Sequence, residues 1–354
     1  MNKRTWLLRC CVMALTLLLT NALVAVKLIR ALEIARAWLF VGCYAAGIGL
    51  IVACFRRIRS RSPYIIKCIG AYGIGLYIAL SMAAAAACVI PLPGWLMVLL
   101  AFGLALYGFN HAEKIYVNHY HVPILPQSFR LVLISDVHIG SVRSEERLPK
   151  LIRRINEQKP DLVCIAGDLI DNCFEAVRDP ERAAALFRSI QSTHGVYACL
   201  GNHDAGKSAA EMEAFMAEAG IVLLKEEYVE VGPITLLGRL DGKPHGNYVN
   251  SSRRDTEMLL AEKPQNDLPL VVLDHNPAVI PQYDDRSSLL LCGHTHNGQI
   301  FPGSLVIRAI NICGYGHYKG ADTPHVVVSS GAGTWGPPMR IGTNCEIAVI
   351  ELGK

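Results

Sequence analysis

The hydrophobic pattern changes character once along the chain. Up to about residue 110 it runs as long apolar blocks at 10–26, 37–55, 68–90 and 95–109. A bilayer-crossing helix takes about 20 apolar residues, with a range of about 17–25. The second and third blocks meet this outright, the first meets it if Lys27 snorkels, and the fourth needs its flanks. Pro91-Leu-Pro-Gly94 breaks helix between the last two. A signal peptide is the rival reading of the first block, but no small-residue cleavage site follows it and further spans do. From about Val122 the pattern becomes short β-branched runs alternating with helical periodicity. A strand is expected at 130–135, then a helix capped by Ser144 with Leu148, Leu151, Ile152 and Ile155 inward. Strands follow at 161–167 and 196–201, with helices opened by Asp179-Pro180 and by the capping box Ser208-Ala-Ala-Glu211. This order implies a parallel sheet with crossover helices. Later runs at 234–237, 268–273, 289–292, 305–310, 325–329 and 346–351 suggest strands of a second sheet packed on the first.

Charge divides at the same place. Residues 1–114 hold 12 basic and 2 acidic residues, net +10, whereas 115–354 hold 22 and 28, net −6. The chain therefore reads as two domains, a transmembrane anchor over 1–114 and a water-soluble domain over 115–354. At 52% hydrophobic and 18% charged residues the chain is not disordered. A net-acidic soluble part lacks the footprint of a nucleic-acid binder. Arg56, Arg57, Arg59, Arg61 and Lys67 cluster between the second and third blocks, and Lys3, Arg4 and Arg9 precede the first. The positive-inside bias then puts the arginine loop and everything after Phe109 in the cytoplasm, making this a multi-pass cell-membrane protein. No carboxylate lies within a span, which argues against transport. The pairs Gly42/Ala46 and Ala45/Gly49 would let the spans pack closely. Twelve cysteines with no CxxC pair read as buried free thiols in a reducing compartment.

Polar residues collect where the strands run out: Asp136-Val-His138, Gly167-Asp168, Gly201-Asn202-His203-Asp204, Asp274-His275-Asn276 and Gly293-His294-Thr-His296. In open α/β sheets ligands bind beyond the carboxyl ends of strands. The spacing of two in Asp136/His138 and His294/His296 sends both side chains to one face of extended backbone. Glycine at the head of several motifs allows a sharp turn and close approach. One such triplet is weak evidence, but five at successive strand ends are strong. The donors are Asp, Asn and His without Cys, a set suited to Mn, Fe, Zn or Co rather than Ca²⁺ or a Cys-rich structural zinc. Seven donors are too many for one ion and right for two, with Asp168 the natural bridge. Two ions about 3.5–4 Å apart clamp the attacking and leaving oxygens of a phosphoryl displacement and make hydroxide from a shared water near neutral pH.

These motifs, in this order, resemble the signature of calcineurin-like metallophosphoesterases over about 122–352. Gly293-HTHNG-Gln299 and Gly331-AGTWGPPM-Arg340 resemble the membrane-associated bacterial phosphodiesterase branch, with Asn297 standing where that branch often has Gly. The resemblance implies a four-layer α/β/β/α sandwich, here preceded by a bundle of four transmembrane helices. It implies one metal on Asp136, His138, Asp168 and His296 and another on Asp168, Asn202, His275 and His294. It leaves His203 as general acid to the leaving oxygen, with Asp204 holding its other nitrogen. His111, His119, His121, His194, His245, His317 and His325 lie off this series and read as surface or packing residues. The expected activity is hydrolysis of a phosphodiester or pyrophosphate by a membrane-anchored enzyme. Phe109 lies only 27 residues before Asp136, which points to a lipid-linked substrate, and the resemblance to the branch that cleaves lipid-linked nucleotide sugars such as UDP-diacylglucosamine implies a pyrophosphate. The alternatives are a nuclease or phosphatase acting on a soluble substrate, and a catalytically silent scaffold. The second of these is at odds with a complete donor set.

Overall fold

The computed structural model describes residues 20–30, 34, 37–56, 62–90, 92–204, 209–242 and 253–353. Its contacts divide the chain into two compact units, Met1–Ile58 with Pro63–Phe109 and Arg59–Ser62 with Asn110–Lys354.

In the first unit residues 20–30 are helical, followed by α1 (Ala37–Phe55), α2 (Tyr64–Val89) and α3 (Gly94–Ala112). Among the described residues α2 and α3 are long and apolar enough to cross a membrane, while α1 contains a shorter apolar stretch, Val41–Cys54. The expected bundle of four spans is therefore seen as two candidate helices, and most of the first block lies outside the described residues. The small residues that approach neighbours also differ from expectation. Nothing described lies within 4 Å of a side chain added at Gly42 or Gly49. Buried small residues fall instead on α2, at Gly70, Ala71, Gly75, Ala79, Ala83 and Ala84. Helix α2 also starts early enough to include Lys67, which the sequence pattern put in the preceding loop.

The second unit holds two six-stranded sheets. The first contains β1 (Ile115–Leu125), β2 (Arg130–Ile134), β3 (Leu162–Ala166), β4 (Val196–Cys199), β5 (Ile221–Leu223) and β12 (Cys345–Gly353), in the order β1-β12-β2-β3-β4-β5. The second contains β6 (Glu227–Val231), β7 (Ile234–Gly238), β8 (Leu270–Leu273), β9 (Leu289–Cys292), β10 (Gly316–Lys319) and β11 (His325–Val328), in the order β10-β11-β9-β8-β7-β6. Strands β2 to β5 run parallel, as do β7 to β9 and β11. Their crossovers include α4 (Ser144–Glu157), α5 (Pro180–Arg188), α6 (Ala209–Glu218) and α7 (Thr256–Ala261).

Strand alternation sorts the core into three slabs. Leu131, Leu133, Leu162 and Cys164 from the first sheet pack with Leu236, Val271, Leu273 and Leu291 from the second. The intervening Val132, Ile134, Val163 and Ile165 turn outward onto Leu148, Leu151 and Ile155 of α4 and Phe187 of α5. Leu270, Val272, Leu290 and Cys292 turn the opposite way, onto Leu259 and Leu260 of α7. The result is a mixed α/β fold with helix, sheet, sheet and helix in succession.

Four expectations change. The strand expected in the second sheet at 346–351 is β12 of the first, where it pairs with β1 and β2. Ser144 is the first helical residue rather than the cap, and its hydroxyl accepts the Gly140 N–H at 3.1 Å while Arg143 holds the cap position at φ 70°. Strand β1 begins seven residues before Val122, its exposed histidines and half-exposed tyrosines hiding the pattern. The run at 305–310 is not a strand but part of α8 (Gly303–Ile310), a short apolar run whose period could not be told from the sequence. The capping box at Ser208 lies outside the described residues.

Candidate metal centre

Parallel strands end at a common edge, and the polar motifs follow them there. Strands β2, β3, β8 and β9 each stop two residues before a donor: Asp136, Asp168, His275 and His294. Asn202, His203 and Asp204 follow β4. Pairing continues past the strands, since Asp136 N donates to Gly167 O and His138 N to Asp168 O, both at 3.0 Å. This locks the Asp136–His138 loop beside the Asp168 loop.

The backbone in these loops is not extended, contrary to the expectation from the spacing of two. Asp136, His138, Asp168, His294 and His296 all lie in the left-handed region, at φ 52°, 51°, 53°, 70° and 49°. Non-glycine residues held there carry strain that the surrounding structure must impose, a recurrent feature of functional sites. The heading glycines serve close approach. A Cβ on Gly201 would fall on the Asp168 carboxylate, and one on Gly293 would fall on the Asp136 carboxylate.

Two groups of side chains converge. Asp136, His138 and His296 form one, and Asp168, His275 and His294 the other, the candidate ligand atoms of each lying within 4.8 Å of one another; His138 also forms a group of the same kind with Asp171 and His203. In the first, His138 Nε2 stands 3.1 Å from His296 Nε2, and His296 Nε2 stands 3.3 Å from Asp136 Oδ1. In the second, His275 Nε2 is 3.2 Å from Asp168 Oδ2, 3.2 Å from Asn202 Oδ1 and 3.3 Å from His294 Nδ1. Asp168 Oδ2 also lies 3.8 Å from His138 Nε2, so one carboxylate oxygen faces both groups. Donors bound to a single ion at about 2.0–2.1 Å stand about 3.0–3.4 Å apart in octahedral or tetrahedral arrangements. Five of the separations, at 3.1–3.3 Å, fall in that interval, whereas His138 Nε2 stands farther from Asp168 Oδ2 and from Asp136 Oδ1, at 3.8 and 4.0 Å. All seven residues are substantially buried, and imidazole nitrogens face one another where a bound cation would give each lone pair a partner. The set fits two divalent ions.

Surrounding contacts orient these donors. His275 Nδ1 donates to Ala166 O at 2.7 Å, turning the Nε2 lone pair into the site. Asp136 accepts the His294 N–H on both oxygens, at 3.1 and 3.0 Å. The fully buried Arg340 guanidinium donates to His296 O, Ser330 O and Gly333 O at 2.6–2.7 Å, tying the Gly331–Arg340 stretch to the His294–His296 loop. Burial would raise the Asp168 pKa, but the His275, His138 and His203 rings outweigh it and hold it far below the usual range. Burial, reinforced by neighbouring positive charge, lowers the pKa of His294 and His296, whereas at His138 and His275 the facing carboxylates, Asp171 and Asp168 for the one and Asp168 for the other, outweigh burial and raise it.

His203 lies beside this cluster, its ring centroid 4.9 Å from that of His138. The carboxylate facing its Nδ1 is not Asp204 but Asp171, at 3.0 Å. Asp204 is turned away because its oxygens accept the Ile170 and Gly201 N–H groups at 2.8 and 2.9 Å. Its role is to brace the two loops, and burial pushes its pKa up to about 6. Asp171 Oδ1 also stands 3.6 Å from His138 Nδ1. Burial again opposes ionisation of Asp171, but the two histidines prevail and lower its pKa. Sequence reasoning passed over Asp171 although it lies three residues beyond Asp168. It also passed over Asp241, a buried carboxylate past the end of β7 whose field reaches His275 and His294.

Residues 129–298 match the calcineurin-like phosphoesterase family model, a segment that contains every donor named above. An uncharacterized metallophosphoesterase of Helicobacter pylori is 30% identical over 265 residues, covering 72% of this chain and 70% of that protein. A transmembrane protein with metallophosphoesterase domain from Danio rerio is 31% identical over 268 residues, covering 70% of this chain and 60% of the relative. Among solved structures, Haemophilus influenzae NAD nucleotidase is similar at a TM-score of 0.39 and 16% identity, over 58% of this chain and 45% of that one. The donors gathered at the strand ends, the family model and the extent of the likeness to the Helicobacter pylori protein lead to one assignment: the chain belongs to the calcineurin-like metallophosphoesterase family.

Proposed function

We propose that the chain is a membrane-anchored, two-metal hydrolase of phosphodiester or pyrophosphate bonds. The observation that carries this reading is the convergence of Asp136, His138 and His296 beside Asp168, His275 and His294, at separations suited to two ions. One ion would rest on Asp136, His138, Asp168 and His296, the other on Asp168, Asn202, His275 and His294. Bound there, the ions would supply Lewis-acid activation of a phosphoryl group and of a water molecule. His203 Nδ1 donates to Asp171, which directs Nε2 toward the site, where it delivers a proton to the leaving oxygen. Asp136 and Asp168 bring the negative charge that two cations need.

Membrane anchoring rests on α2 and α3 and on the apolar blocks before them, with a relative named as a transmembrane protein in support. A four-span, multi-pass anchor with the catalytic unit on the cytoplasmic side follows from the basic loop at 56–61. A lipid-linked pyrophosphate, such as a nucleotide diacyl sugar, is the substrate class that suits a site tethered this closely to a span. The net charge of −6 over 115–354 argues against nucleic acid.

The test is metal analysis of the purified full chain together with turnover of bis(p-nitrophenyl) phosphate in Mn²⁺. About two ions per chain and chelator-sensitive turnover are expected. A single tightly held ion, or full activity in chelator, would refute the two-metal reading. Turnover of soluble esters with no lipid phosphate accepted would remove the lipid substrate alone.

A further inference from the structure

Helix α8 carries an apolar face that points away from the fold. Ser304 is buried and Ile307 half-buried beneath it, while Leu305, Val306, Ala309 and Ile310 are exposed. At about 100° per residue those four occupy one continuous arc of about 140°, wider than the stripe a surface helix normally turns to its core. The exposures are 55% for Leu305, 55% for Val306 and 70% for Ile310. Phe301 and Ile312 extend the patch at either end of the helix. Trp335 joins it through Gln299, whose amide oxygen accepts the Trp335 N–H at 2.8 Å and whose amide nitrogen donates to Trp335 O at 2.9 Å. Of the eight large apolar residues exposed in the second unit among those described, six belong to this patch.

The patch borders the metal-ligand loop. Gly298 and Gly303 approach so closely that a Cβ on either would strike the other's backbone, which seats α8 directly against the turn after His296. The Trp335 ring centroid is 6.4 Å from that of His203. Charge changes locally as well. Residues 289–345 contain Arg308, Lys319 and Arg340 against the single acidic Asp322, within a region that is net −6 overall. Arg308 and Lys319 are exposed.

We propose that α8, with Phe301, Ile312 and Trp335, docks into the interfacial layer of an anionic lipid bilayer. A short amphipathic helix with aromatic and branched residues on one face and basic residues beside it is suited to lying in that layer. The bilayer is the occupant because β1 begins at Ile115, three residues after a helix able to cross a membrane ends at Ala112. A domain tethered so closely meets lipid headgroups at high effective concentration. Docking would bring the metal-ligand loop to the lipid surface, so that a phosphate attached to an acyl-chain anchor reaches the site without leaving the membrane. That consequence rests on the hydrolase reading; the docking itself does not.

The full chain is reconstituted into nanodiscs of phosphatidylcholine and phosphatidylglycerol. The photoreactive residue p-benzoylphenylalanine is placed singly at Leu305, Val306 or Ile310 and, for comparison, at Met258, an equally exposed apolar residue on α7 outside the patch. Irradiation and peptide mass spectrometry are expected to show phospholipid adducts at the three α8 positions and none at Met258. No adduct on α8, equal adducts at Met258, or cross-links from α8 to a second copy of the chain would each overturn docking. None of these readouts needs turnover, so a failed phosphoesterase assay leaves this result standing, and the reverse holds too.

Discussion

In the proposed mechanism Asp171 is the side chain that decides whether His203 can act as an acid. Its Oδ1 lies 3.0 Å from His203 Nδ1, while the side-chain nitrogen of Asn172 lies 2.6 Å from the same atom. These neighbours make opposite demands, because a carboxylate can only accept a hydrogen and an amide nitrogen can only donate one. The ionised carboxylate prevails, since hydrogen bonds to charged groups are about twice as strong as neutral ones. Nδ1 therefore carries the hydrogen, Asn172 Nδ2 donates to Asp171 Oδ1 at 3.0 Å, and Nε2 is left for the proposed proton transfer. Asp171→Asn keeps the volume and removes the charge. Hydrogen bonds to a charged partner contribute about 1.5–3 kcal/mol, which at 1.36 kcal/mol per decade is about a 10- to 100-fold loss in kcat. Asp171→Ala removes the acceptor altogether and leaves Nδ1 to the Asn172 amide. Its loss should approach that of His203→Asn, about 10²–10⁴-fold for positioned acid catalysis.

The assay compares two esters on metal-loaded protein. An alkyl phosphodiester, whose poor leaving group needs the proton, should show the whole loss in each variant. A nitrophenyl ester, whose leaving group does not, should stay within about threefold of the parent, and metal content should not change. Equal losses on both esters would make Asp171 a merely structural residue. Full activity in Asp171→Asn alongside collapse in Asn172→Ala would show that Nδ1 accepts from Asn172. An equal collapse in Asp204→Asn would return the role to Asp204.

Four further outcomes are expected. Asp168→Asn should lower the bound metal to less than one ion per chain by plasma emission spectroscopy, because its carboxylate faces both donor groups. Gly293→Ala should abolish turnover while the protein still folds, since the added methyl displaces the Asp136 carboxylate, and an active variant would contradict the close approach. Asp274→Ala should cost about 3–5 kcal/mol in denaturant unfolding, because it strips the partner from Arg253, which grips Asp274 at 3.0 and 2.6 Å, and from the Tyr283 hydroxyl. The Asp171 carboxyl has a pKa below its unfolded value of about 3.9, so its stabilisation is complete above that pH and is lost as the pH falls beneath it. The difference in melting temperature between metal-free parent and Asp171→Asn should therefore shrink on acidification from about pH 6 to pH 3.

What could be read from the sequence followed where a residue's neighbours in the chain determine its environment. Strands β2, β3, β8 and β9 are short apolar runs that end in glycine or acidic and imidazole groups, and parallel topology alone brings such ends to one edge. That is why seven candidate donors could be proposed without coordinates. Their conformation could not: the spacing of two implied extended backbone, but five of the donors adopt positive φ because hydrogen bonds from adjacent loops hold them there. Asp171 and Asp204 illustrate the same limit more sharply. Both are aspartates within three residues of a donor motif, and the choice between them depends on which carboxylate the Ile170 and Gly201 amides have already claimed. Helix α8 failed to be read for a different reason. Five of the six residues at 305–310 are apolar, and so short a run looks like a strand when its helical apolar face is turned to the outside rather than to a core. The feature that misled the secondary-structure assignment is thus the same one that marks the lipid-facing surface: an apolar arc that the fold itself leaves uncovered.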